Sequence, residues 1–96
     1  MKIPSKVKVG GIIYEVYLVD QCSDGPRFMG QVDHYKCEIQ LRQNLNPQAK
    51  MQTLWHEITH IVISALGRKD FEEGDIEQVA QYIYQIVVDN PEMFRE

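Results

Sequence analysis

Apolar and polar residues alternate with a period of two near the start of the chain. Lys6-Val7-Lys8-Val9 alternates, Gly10-Gly11 marks a two-residue hairpin turn, and a β-branched and aromatic run resumes from Ile12 to Val19. In that run Ile12, Tyr14, Val16 and Leu18 form a uniformly apolar face, which is expected to point at the core. Ser23-Asp24-Gly25-Pro26 has loop chemistry. Two further strands are expected at residues 28–32 and 37–41, joined through Asp33-His34-Tyr35-Lys36. In the second of them Cys37, Ile39 and Leu41 alternate with Glu38 and Gln40.

The period then becomes helical. Asn46-Pro47 supplies an N-cap followed by proline at the first helical position, where its missing N–H costs nothing. The spacing predicts a helix over 47–66, with Gly67 placed for a left-handed C-terminal cap. Leu54, Ile58, Ile61, Val62 and Ala65 form its apolar stripe. A last helix is predicted from near Asp75, or slightly earlier. Ile76, Val79, Ala80, Ile83, Ile86 and Val87 lie on its buried side, and Asn90-Pro91 ends it. The order predicts an α+β fold, an N-terminal antiparallel sheet of three to four strands followed by two helices, as one domain over 1–96.

Composition narrows the function. Apolar residues make up 44% of the 96, which suits a globular chain and not a disordered one. The net charge is −4 and no basic run occurs, so no nucleic-acid partner is expected. The longest apolar run is Ile61-Val62-Ile63, far short of a membrane span, and the first residues lack the apolar core of a signal peptide. A cytoplasmic location is expected, with Cys22 and Cys37 as free thiols. Fifteen residues apart, they do not suggest a cysteine-rich zinc site.

Two of the three histidines fall in His56-Glu57-Ile58-Thr59-His60. One helical turn separates His56 from His60 and sets both imidazoles on one face, within reach of a single metal ion. Neutral imidazole is a good Zn2+ ligand. Glu57 is turned about 100° from His56 around the helix axis. It is badly placed as a third ligand and well placed as the general base for water at the metal, which is the mechanical content of H-E-x-x-H. The motif sits in mid-helix and off the apolar stripe.

A catalytic zinc takes three protein ligands and keeps one position open. No histidine follows His60, so a carboxylate of the last helix is the expected third ligand. Glu72, Glu73, Asp75 and Glu77 are the candidates. Glu77 is favoured over Glu73 and Asp75 because it shares a helix face with Ala80, Gln81 and Tyr84, beside the buried stripe. A tetrahedral oxyanion needs a further donor. His34, Tyr35, Tyr82 and Tyr84 are available, and spacing singles out none of them.

The chain resembles the small zincin-like metallopeptidase domains of phages and prophages, and more distantly the ImmA/IrrE family. The resemblance rests on Lys8-Val9-Gly10-Gly11-Ile12, Gly30-Gln31-Val32-Asp33, Asn44-Leu45-Asn46-Pro47, the H-E-x-x-H segment and Glu77-Gln78-Val79-Ala80-Gln81. Gln81 stands where the ImmA/IrrE pattern has Asn. The resemblance implies a gluzincin-like site in which His56, His60 and Glu77 bind zinc and Glu57 activates water. It implies a protein or peptide substrate, a bacterial host cytoplasm, and a strand beside the site, residues 37–41, that holds an extended peptide. The competing expectation is a non-catalytic zinc-binding module that regulates or binds another protein.

Overall fold

Gly10 and Gly11 both have positive φ, 59° and 83°, the conformation a two-residue hairpin turn requires. They join β1 (Lys6–Val9) to β2 (Ile12–Val19), with Val9 opposite Ile12. The computed structural model describes residues 2–94. After β2 come β3 (Gly30–Asp33), β4 (Glu38–Arg42), α1 (Pro47–Ala65), α2 (Glu73–Asp89) and a short 3-10 turn, Pro91–Phe94. The α+β order of four strands and then two helices is the expected one.

The sheet is mixed, not antiparallel throughout. Its order is β1-β2-β4-β3, and β2 runs parallel to β4. The cause is the connection of residues 20–29, which carries the chain past the position of β4. The β3–β4 hairpin then inserts β4 beside β2 and leaves β3 at the edge. The hairpin turn is held by the Asp33 carboxylate, which accepts the N–H groups of Tyr35 at 2.9 Å and Lys36 at 3.0 Å. Phe28 and Met29, expected in a strand, belong to the connection, and Cys37 leaves the turn at φ 55°.

α1 packs on the inner face of the sheet, chiefly over β3 and β4. Tyr14, Ile39, Leu41, Met51, Leu54 and Ile61 form the buried core. Of the expected apolar face of β2, Tyr14 is buried and Val16 packs against the core. Ile12 and Leu18 at the strand ends are about half exposed, because α1 lies on this face chiefly over β3 and β4 and leaves the ends of β2 uncovered. The helix starts as expected: the Asn46 side chain accepts the Ala49 N–H at 2.8 Å, and Pro47 follows. It ends with Gly67 at φ 70°, where the Gly67 N–H bonds to Ser64 O and the Arg68 N–H to Ile63 O.

α1 is buried more widely than one stripe. Thr53 and Thr59 are buried, and each hydroxyl donates to the carbonyl one turn earlier, Ala49 O and Trp55 O, both at 2.7 Å. α2 has its principal contacts with α1, not with the sheet. It begins at Glu73, within the expected start near Asp75 or slightly earlier. The Asp75 side chain reaches back to the N–H of Glu72 at 3.0 Å and secures that first turn. No helix among the described residues is long and apolar enough to cross a membrane.

Candidate metal centre

His56 and His60 leave α1 side by side, as the four-residue spacing requires, with their Nε2 atoms 3.2 Å apart. The start of α2 at Glu73 places that residue across from them. Glu73 Oε1 lies 2.6 Å from His56 Nε2, and Glu73 Oε2 lies 3.2 Å from His60 Nε2. His56, His60 and Glu73 form a group whose ligand atoms can hold a metal ion. Glu77, the favoured third ligand from the sequence, meets the other nitrogen of the same ring: its Oε2 lies 2.6 Å from His56 Nδ1. Asp75 is engaged in the helix cap, and Glu72 precedes the helix. Glu73 and Glu77 are four residues apart on α2, just as the histidines are on α1. That shared spacing is the signal in the sequence for Glu73, which the face shared by Glu77, Ala80, Gln81 and Tyr84 ranks behind Glu77.

The chemistry of this donor set fits a cation. A carboxylate oxygen 2.6 Å from Nδ1 needs a ring proton on that nitrogen, and Glu73 Oε1, also at 2.6 Å, makes the same demand of Nε2 unless a cation takes the proton's place. When the proton sits on Nδ1, the Nε2 lone pair faces the Glu73 carboxylate and His60. Acceptors that converge in this way need a proton or a cation between them. Two ligand atoms on a tetrahedral zinc with bonds near 2.0–2.1 Å lie about 3.3 Å apart. The spacings of 3.2 Å from His60 Nε2 to His56 Nε2 and to Glu73 Oε2 are close to that edge, while His56 Nε2 and Glu73 Oε1, at 2.6 Å, stand at hydrogen-bond distance and must part by about 0.7 Å to admit an ion. A carboxylate on the distal nitrogen of a ligand histidine is a recurring device that fixes the tautomer and the ring orientation. Gln81 extends the chain, donating to Glu77 Oε1 at 3.1 Å.

Glu57 differs from the other carboxylates. It shares the sheet-facing side of α1 with Leu54 and Ile61 and is only 6% exposed. Burial pushes its pKa up to about 7, against the pull of His56 and with a smaller push from Glu73. Burial also raises Glu73, but the hydrogen bond to His56 and the charges of both imidazoles outweigh it and hold that carboxyl below its ordinary value. Two neighbouring carboxylates therefore differ in protonation.

These groups line one cavity of about 750 Å³ between α1, the first turn of α2 and the β3 edge. Its wall includes Phe28, Met29, Gly30, Val32, His56, Glu57, His60 and Glu73. Of the polar aromatics considered as further donors, His34 lines this cavity. Tyr35 is fully exposed, Tyr84 packs against the core, and Tyr82 lies on the outer side of α2 beside Gln78 and Gln85. The strand beside the site is β3. The expected peptide-holding strand, residues 37–41, is β4, whose two sides are already paired to β2 and β3 and cannot accept another chain.

No protein-family model, no curated protein and no solved structure matches this chain.

Proposed function

We propose that the protein is a zinc-dependent peptidase of the zincin type, as its resemblance to small phage-encoded metallopeptidases implies. In this reading His56, His60 and Glu73 hold the metal, Glu77 orients His56, and Glu57 is the general base. The observation that carries it is the convergence of two imidazole nitrogens and one carboxylate beside a separate, buried carboxylate. A purely structural zinc site has no use for Glu57 at that place. When bound, the metal supplies a Lewis acid that polarises a carbonyl and acidifies water.

The remaining work falls to the chain. Glu57 takes a proton from the attacking water and delivers it to the leaving amine. A pKa of about 7 suits both tasks near neutral pH. Bound metal draws that value down, which favours the base form.

The open edge of β3 supports a peptide as substrate. The Arg42 N–H bonds to Met29 O at 2.9 Å. With Gly30 opposite Leu41, this sets Met29, Gln31 and Asp33 to bond with β4. Gly30 and Val32 therefore turn their N–H and C=O groups to the free edge, along the cavity. An extended chain can pair there as an added strand. The opposite edge, β1, carries Lys6 and Lys8, charges that discourage strand addition, whereas Gly30-Gln31-Val32 has none.

The test is metal analysis of purified protein together with screening of a quenched-fluorescent peptide library. Glu57→Gln is expected to retain zinc and lose cleavage. Equal turnover by that variant overturns the general-base role, and wild-type protein that binds no zinc overturns the whole reading.

A further inference from the structure

Phe28 and Met29 line the cavity and are 47% and 54% exposed. Single exposed apolar residues are common on protein surfaces and require no explanation. These two are adjacent, stand at the mouth of the cavity beside the open edge of β3, and sit on a connection that is tied down along its length.

The ties come from side chains of β3, β4 and the residue that follows β4. Gln43 donates to the Asp20 carboxylate. Gln40 accepts the Ser23 N–H at 2.9 Å and donates to Ser23 Oγ at 2.9 Å. Gln31 accepts the Asp24 N–H at 2.7 Å, and Arg42 donates to Pro26 O at 3.2 Å. Buried Cys22 anchors the tight turn by accepting the Gly25 N–H at 3.0 Å, and Gly25 takes the positive φ of 139° that the turn requires. A loose loop would fold two such side chains away from water. This one holds them out, so their exposure is imposed by the sheet and the wall is formed in advance of any ligand.

Resting on the peptidase reading above, we infer that Phe28 and Met29 determine specificity. They receive a large apolar side chain of a peptide laid along β3, so the substrates are extended segments with such a residue near the cleaved bond. Val32 and Ala49 continue the apolar lining, and Asp24 and Arg27 make a polar rim. A cavity of about 750 Å³ is of ligand-binding size, with room for a side chain beside the reacting groups.

The test uses zinc-loaded protein and two hydroxamates, acetohydroxamic acid and its 3-phenylpropionyl counterpart, compared by calorimetry. The phenyl tail is expected to improve wild-type affinity at least about tenfold. In Phe28→Ala/Met29→Ala that gain should fall below about threefold, while acetohydroxamic acid binds as before. Phe28→Leu should keep most of the gain. An undiminished gain in the double variant, or no gain in the wild type, overturns the specificity role. Failure of zinc-loaded protein to bind acetohydroxamic acid overturns the peptidase reading itself. Should the double variant not fold, the Met29 methyl NMR signal of wild-type protein decides. It must shift with the phenyl compound and not with acetohydroxamic acid; an unmoved signal overturns the inference.

Discussion

His56 Nδ1 lies 2.6 Å from Glu77 Oε2, while the Nε2 of the same ring lies 2.6 Å from Glu73 Oε1. One imidazole thus separates two carboxylates four residues apart on α2, and the two have different work. Glu73→Ala removes a donor facing the metal position, so zinc affinity should fall by more than about 100-fold. Glu77→Ala removes only the partner of the distal nitrogen and should cost about 10–100-fold. Competition titration against a chromophoric chelator measures both. A larger loss in the Glu77 variant would return the third-ligand role to that residue.

Zinc itself should stabilise the fold. At free zinc 100 times its Kd the gain is about 2.7 kcal/mol, provided the unfolded chain does not bind. Thermal unfolding with and without zinc reads this directly. His60→Ala removes one of the two imidazoles and should abolish most of the zinc-induced rise in Tm. A full rise in that variant would show that the ion binds elsewhere.

Glu57 makes the metal-free protein sensitive to pH. Its folded-state pKa is about 7 against an ordinary 4.5, so between those values the folded state binds more protons than the unfolded one. The Glu57 contribution to stability is therefore fully present below the ordinary value and is lost as pH rises toward 7, by on the order of 3 kcal/mol at most. Glu57→Gln removes this dependence. In chelator at pH 8 the variant should be more stable than wild type, and at pH 4.5 the advantage should vanish. Urea unfolding at the two pH values gives the comparison. An equal difference at both would mean that Glu57 does not titrate in this window.

Gly30 is fixed by its neighbours and not by its backbone angle. A Cβ there would lie 2.5 Å from Thr53 Cγ2 and 3.1 Å from the carbonyl oxygen of Gln40. Gly30→Ala should therefore cost about 1–3 kcal/mol. Thr53→Ser deletes the nearer obstacle and keeps the hydroxyl that bonds to Ala49 O. The double variant should recover part of the loss, since the Gln40 carbonyl remains close. Chemical denaturation of the four proteins forms a cycle. Strict additivity would mean that the two residues do not meet.

Local rules made much of this architecture readable. The glycine pair of the first hairpin, the Asn46-Pro47 start, the Gly67 stop and the four-residue histidine spacing each depend on residues within one turn. The parallel pairing of β2 with β4 has no such local cause. It depends on where a ten-residue connection carries the chain, and alternation alone fits either direction. The start of α2 at Glu73 is set by a cap in which Asp75 reaches back to the Glu72 N–H, and that start brings Glu73 to the histidines. Phe28 and Met29 carried strand-like chemistry. The tertiary hydrogen bonds that hold them in a loop come from residues up to about twenty positions away, beyond the reach of any periodic pattern.

α2 rests chiefly on α1, and its first two turns supply Glu73 and Glu77. The histidine pair belongs to α1 alone, so two of the three proposed ligands exist as soon as one helix forms, and the third arrives only when the second docks. In the proposed site, ion capture and helix docking are consequently a single linked equilibrium. Withdrawing the ion loosens a structural latch, and any partner that pries α2 away from α1 disarms the centre without touching Glu57.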